Sequence, residues 1–375
     1  MESLKVNYRN IQGLRAIAAL MVFASHMFWD ILPMRTHWAK PFIVPIGPSG
    51  VDIFFVISGF IIYNVAQRSA AQVDTAGRGR AVYEFVMKRI IRIYPLYWLA
   101  FGTAALIMIW VPLPASFERK PQWALFFLIN GIPNFRVPVA WTLTFEVYFY
   151  AVTALSLFLF PKKILTGLLG WFAIIGLAVV IGTVFDLSML LKYACAPILL
   201  EFLLGVVIAV LIERGQSRYY AASLCLGAIG MLGGAVELHH HEGWAAQSNV
   251  LRLACWGFPA ALIVYGTLAL EVRKAWIMPK ALQYLGDASY SLYLWHAIVF
   301  TGVAAVIAHL GWTGSVDRTL LATLMGMIGF GAGLLSYHFL EKPSLRLLGQ
   351  VFTGRGVRVA ADSAPGLLRP SSCDR

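Results

Sequence analysis

The chain is expected to be an all-α polytopic membrane protein with about ten transmembrane helices and both termini in the cytoplasm. Three observations predict this. Of its 375 residues 59% are hydrophobic and 13% charged, and the mean hydropathy of +0.72 is well above that of soluble domains. The apolar residues come in runs of roughly 20, the length that crosses about 30 Å of hydrocarbon. Most of the 30 lysines and arginines fall on alternate connections, as the positive-inside rule requires. Little chain is left over, so one integral domain is expected over residues 1–348, with a disordered cytoplasmic tail over 349–375, rich in Gly, Arg, Ser and Pro.

In order, the runs cover about 11–32, 46–66, 90–112, 140–160, 164–185, 190–212, 219–237, 251–271, 286–309 and 319–340. The first carries Arg15 and no small-residue cleavage pattern follows it, so it is expected to stay as a span and not to be removed as a signal peptide. With the N-terminus inside, Lys5, Arg9, the cluster from Arg68 to Arg92, Lys162, Lys163, Arg214, Arg218 and the basic tail share the cytoplasmic side. The other side holds fewer, Arg252 among them. Residues 67–83, polar, small and basic, read as a mobile loop on the inner side. Residues 113–139 contain an apolar run too short to span, which reads as an interfacial or re-entrant segment on the outer side.

This topology accounts for the net charge of +12. No basic patch stands clear of the apolar runs, so nucleic acid is not an expected partner. Cys195, Cys225 and Cys255 lie within apolar segments and read as small core residues, without zinc or disulfide spacing. His239, His240, His241 and Glu242 fall in an outer loop and lack the spacing of a closed structural site, so no metal is expected.

Chemistry is sought in the ionisable residues left inside the spans, where they are costly and face a bundle interior or a watery cavity. Arg15 and His26 are eleven residues apart, which puts them within roughly 20° on one helical stripe and about 16 Å apart along it. His26, Asp52 and Glu146 each lie about six residues below the outer end of their helices, and a shared cavity would explain all three. Separate structural pairing is the alternative. On the inner side Lys88, Arg89 and Arg92 crowd the start of the third run, with Arg89 and Arg92 on one face. The cluster is either a positive-inside anchor or a phosphate site, since guanidinium groups bind phosphate oxygens bidentately.

Other residues are more ambiguous. Gly50 and Gly59 suit close helix approach, while neighbouring Ser58 is a weaker candidate for a nucleophile or substrate contact. Trp141 and Tyr148 suit packing better than sugar stacking. His296 is split between a structural and a secondary site role. Glu341 and Lys342 either fix the inner end of the tenth run or assist a cofactor, and Glu201 needs a partner that the sequence does not identify.

Arg15 and His26 at this spacing, GVDIFFVISGF at 50–60, the Arg89–Arg92 pair, WTLTFE at 141–146, SYSLYLWH at 289–296 and FLEKP at 339–343 together resemble the membrane-bound acyltransferase-3 family, in particular its exopolysaccharide O-acetyltransferase branch. The resemblance runs from about Gln12 to Pro343 in order. Some relatives carry an appended periplasmic hydrolase-like domain, which is not expected here.

The resemblance implies transfer of an acyl group, usually acetyl, from cytoplasmic acetyl-CoA to a hydroxyl of a polysaccharide or its lipid-linked precursor, in a multi-pass protein of the inner membrane. Neutral His26 is then the candidate general base, with Glu146 or Asp52 to orient it or stabilise its cation. Arg15, Arg89 and Arg92 would hold the phosphates of acetyl-CoA. The expected partners are the bilayer, the acyl-CoA donor, the polysaccharide or lipid-linked oligosaccharide acceptor and polysaccharide assembly proteins. Direct transfer and an acyl-histidine relay both remain open. So do two other classes: a transporter or flippase for a lipid-linked sugar, and an assembly scaffold.

Overall fold

The structure is a computed structural model that describes residues 8–29, 38, 40–109, 122–128, 137–184, 194–239, 250–311 and 317–353. The described residues form helices and turns with no strand. The helices that organise the bundle are α1 (Arg9–Trp29), α2 (Ser49–Ala70), α3 (Arg78–Ile107), α4 (Trp141–Leu159), α5 (Ile164–Val184), α6 (Leu200–Glu213), α7 (Tyr220–His239), α8 (Phe258–Val272), α9 (Lys280–Asp287), α10 (Ser289–His309), α11 (Arg318–Ser336) and α12 (Lys342–Thr353).

Nine helices among the described residues are long and apolar enough to cross a membrane. The sixth expected span is the shorter one. Pro197 opens a 3₁₀ turn ahead of α6, which is left with 14 residues, about 21 Å of rise.

Two expectations change at the ends. Residues 67–83 are mostly helical, because α2 runs to Ala70 and α3 starts at Arg78. The early start of α3 is supported by i,i+4 pairs from Glu84 to Arg80 at 3.2 Å and to Lys88 at 3.5 Å. The chain also remains helical past Gly349 to Thr353; residues 354–375 lie outside the described residues.

Close packing centres on α2. A Cβ on Gly59 would lie 2.1 Å from the carbonyl oxygen of Phe202, and one on Gly205 would lie 2.0 Å from that of Val56, so α2 and α6 touch backbone to backbone. Gly50 meets the Ala18 carbonyl oxygen of α1 in the same way. The first turn of α1 is tied down from α8: Glu271 accepts from the backbone N–H of Arg9 at 2.8 Å and of Asn10 at 2.7 Å, placing a carboxylate on the free donors of a helix start.

Of the expected interfacial segment, residues 122–128 and 137–139 are described. Its short helix Gln122–Phe126 rests on α3, where Tyr97, Trp98 and Tyr94 donate to the carbonyls of Leu125, Phe126 and Phe127 at 2.6, 3.1 and 2.9 Å. Three aromatic donors thus satisfy backbone carbonyls that a lipid environment would leave bare.

Two five-residue π turns interrupt long helices, Leu253–Gly257 before α8 and Tyr337–Glu341 after α11. Each adjoins a buried ion pair that ties distant helices together, and π turns of this kind re-aim side chains. At the first, Arg252 donates to both carboxylate oxygens of Asp52, at 2.9 and 2.7 Å. At the second, Glu341 pairs with Arg92 and accepts from Ser291 at 2.6 Å.

Candidate active site

A cavity of about 270 Å³ opens between α1, α2, α3, α4 and α10, with Leu345 of α12 at its edge. Gln12 and Arg15 come from the first two turns of α1, and Lys88, Arg89 and Arg92 from two turns of α3. Val51 to Ile62 of α2 form an apolar wall, Thr142, Glu146 and Tyr150 come from α4, and Asp287, Ser289, Tyr290 and Tyr293 close the remaining side. Periodicity explains the grouping, because positions three or four apart on one helix share a face.

The cavity has a cationic end and a hydroxyl-rich wall. Arg92 is braced by Glu341 and lies 5.5 Å over the Tyr290 ring. Arg89 is held between Tyr150 and Phe85, at 5.8 and 6.0 Å from their ring centres, and its buried Nε has no hydrogen-bond partner. Arg15 donates to Gln12 at 3.0 Å. Among the described residues neither Arg15 nor Arg89 has a carboxylate within ion-pair distance. Glu146 accepts from Tyr150 and, at 3.4 Å, from Ser58. Tyr293 and Thr142 share a hydrogen bond of 2.9 Å.

Four of the residues expected from sequence are therefore brought together on this wall: Arg15, Arg89, Arg92 and Glu146. Asp52 and His26 are not on it. Asp52 is fully buried with both oxygens taken by Arg252, so the pair closes on itself. Arg252, counted by its position with the outer-side charges, is only 3% exposed. Glu201 finds its surroundings here too, buried against the Gly257 turn beside Asp52 and Arg252.

His26 is half-buried on α1, its ring centre 5.1 Å from that of His296. Its Nδ1 lies 2.9 Å from the Val22 carbonyl oxygen, which can only accept. Nδ1 therefore carries the proton of the neutral ring, and the lone pair is at Nε2. His296 repeats the arrangement with Leu292 at 3.1 Å. It also stands 5.9 Å, centre to centre, from Tyr293, which does line the cavity. The expected chamber shared by His26, Asp52 and Glu146 is thus replaced by three settings: a histidine pair, a closed ion pair and the open cavity.

Sequence reading passed over Asp287, Ser289, Tyr150, Tyr290 and Tyr293. Tyrosines at this density read as packing, and Asp287 falls at the very start of the ninth run, where the structure ends the short α9. The spacing Tyr290–Tyr293, one turn apart in SYSLYLWH, was the available signal. Tyr148, considered for stacking, points elsewhere and donates to Ala194 at 3.0 Å, while Trp141 packs on Phe145 and Phe55. Burial raises the Asp287 carboxyl, opposed by the nearby charges of Arg15 and Arg92. No group of three or more metal-ligating side chains occurs among the described residues; His240, His241 and Glu242 lie outside them.

A helical bundle of membrane length enclosing a cavity with a cationic end defines a multi-pass membrane protein with an internal site. The chain belongs to the acyltransferase-3 family, whose acyltransferase domain matches residues 8–338. It is a membrane-bound O-acyltransferase. It is 34% identical to the exopolysaccharide production protein ExoZ of Rhizobium meliloti, over 85% of this chain and 94% of that protein. It is 27% identical to the acyltransferase MdmB of Streptomyces mycarofaciens, over 97% of this chain and 98% of the relative. With the peptidoglycan O-acetyltransferase OatA of Listeria monocytogenes it shares 21% identity over 89% of this chain, which spans 55% of the longer protein. No solved structure matches it.

Proposed function

We propose that this protein transfers an acetyl group from cytoplasmic acetyl-CoA to a hydroxyl of an exported polysaccharide or its lipid-linked precursor, in the inner membrane. The observation that carries the reading is the pairing state of the arginines. Arg15 and Arg89 are held at the cationic end of the cavity without carboxylate partners among the described residues, and the orphaned Nε of Arg89 is a donor in need of an acceptor. Phosphate oxygens meet that need at full charge, and Arg92, preset by Glu341, adds a third guanidinium. The positive-inside distribution supports a cytoplasmic position for this cationic end, the side from which acyl-CoA would enter.

Acyl-CoA supplies a thioester carbon as the electrophile. The residues of the chain then have distinct tasks. The arginines with Lys88 hold phosphate, and the apolar wall of α2 excludes water from the extended arm. His26 takes the proton of the sugar hydroxyl at Nε2 as that oxygen bonds to the acyl carbon and the carbon–sulfur bond breaks. Glu146, hydrogen-bonded by Tyr150 and Ser58, belongs to the cavity wall and not to the His26–His296 pair, so its part is to order that wall around the bound donor. Asp52 serves the site from behind, by fixing α2 through Arg252. Relatives named for exopolysaccharide production and for peptidoglycan O-acetylation support a carbohydrate acceptor.

The test is incorporation of label from radiolabelled acetyl-CoA into extracted polysaccharide or lipid-linked precursors, in membranes holding equal folded amounts of wild type and His26→Ala. Loss of incorporation with donor binding retained is expected. Equal incorporation by the two would remove His26 from the chemistry. No incorporation by wild type would favour transport or scaffolding.

A further inference from the structure

Among the described residues, three buried polar atoms on the lining of the cavity lack hydrogen-bond partners: Arg89 Nε, Asp287 Oδ1 and Ser289 Oγ. The first is a donor and suits phosphate. The second is of the opposite kind, an acceptor, on a carboxylate close to Arg15 and Arg92 that forms no ion pair with either among the described residues. A carboxylate beside a phosphate site repels the phosphate, so its presence there needs a compensating contact. Its placement is enforced by packing. A Cβ on Gly286 would lie 1.8 Å from the Gln12 carbonyl oxygen, so α9 is pressed onto α1, and Asp287 ends α9 just before Ser289 opens α10.

We propose that Asp287, together with Ser289, is a specificity element of the donor pocket, its buried Oδ1 accepting a hydrogen bond from an N–H or O–H on the uncharged part of the donor next to its phosphates. This rests on the acyl-CoA reading above. Such a molecule satisfies both kinds of orphaned atom at once, phosphate on Arg89 and a hydrogen-bond donor on Asp287. A phosphate-only anion would meet the arginines and the repulsion alone. Within coenzyme A the N–H or O–H has two sources, the nucleoside and the amides of the pantetheine arm.

Equilibrium binding to the full-length chain in detergent separates these cases, with coenzyme A, adenosine 3′,5′-bisphosphate, 4′-phosphopantetheine and inorganic pyrophosphate as probes. Asp287→Asn is expected to weaken coenzyme A binding by about tenfold, the effect of losing one charge-assisted hydrogen bond, while leaving pyrophosphate binding unchanged or tighter. The fragment that shares the loss identifies the nucleoside or the pantetheine arm as its source. Coenzyme A binding that is equal or tighter in Asp287→Asn would mean the carboxylate only screens the arginines, and would overturn the proposal. If that variant fails to fold, Ser289→Ala decides. A fall of about threefold for coenzyme A with pyrophosphate unaffected supports the proposal, and unchanged affinity for both overturns it. Wild type that binds pyrophosphate but not coenzyme A would instead sink the donor reading, and this inference with it.

Discussion

Two buried arginines in this protein are used in opposite ways. Arg252 is 3% exposed and spends its guanidinium on Asp52 and, at 3.3 Å, on the Pro48 carbonyl, with the Trp256 ring 5.0 Å away. The pair is closed, and neither of its residues lines the cavity. Arg89 lies between two aromatic rings on the cavity wall, with Nε unsatisfied and no carboxylate at ion-pair distance among the described residues. A charge left open beside a cavity has its counterion supplied by something that binds, whereas a charge closed by a neighbour holds helices together. Arg92 stands between the two cases, tied to Glu341 yet facing the cavity.

The sharpest way to break this contrast is Arg252→Leu, which would strand Asp52 in the core. We expect a loss of about 3–5 kcal/mol, read as a lower thermal midpoint in detergent, with much of it recovered in the Asp52→Leu/Arg252→Leu double variant. Next, Arg89→Ala should weaken coenzyme A binding by about 1.5–3 kcal/mol while moving the unfolding midpoint little. A stability loss as large as that of Arg252→Leu would erase the distinction. Glu341→Gln should fall between the two, costing about 1–2 kcal/mol of stability and loosening donor binding measurably, since Arg92 loses the charge that orients it. The smallest effect is expected for Ser58→Ala. Its 3.4 Å bond to Glu146 is long, so stability and transfer rate should change by about 0.5 kcal/mol or less. A collapse of transfer in that variant would revive Ser58 as a direct participant.

Much of the site was legible because membrane helices are read against one solvent. In a run such as 11–32 every charged residue must be explained, and Arg15, Glu146 and the Arg89–Arg92 pair were found that way before any packing was known. The same rule could not tell which charges would neutralise each other. Asp52 and Arg252 are 200 residues apart, and the π turn that follows Arg252 has no sequence signature that separates it from ordinary helix. Depth alone placed His26, Asp52 and Glu146 at one level, but depth does not fix azimuth. The three helices turn those residues towards different neighbours. Residues 78–83 were read as the end of a loop because the stretch is polar and small, although the i,i+4 pairing of Arg80 with Glu84 is a helical signal of its own.

The amino-acid sequence by itself determined that this chain is a bundle of apolar helices, roughly where each one runs and which few residues inside them need a partner. That follows from the cost of polar groups in hydrocarbon, which acts on each segment independently. Only the tertiary structure decided which of those residues are partners and which are left open. An ion pair closes within a few ångströms, and the close approach of α2 to α1 and α6 at Gly50, Gly59 and Gly205 sets distances on that scale. Asp52 was thereby closed off with Arg252, and Arg15 and Arg89 were left facing the cavity.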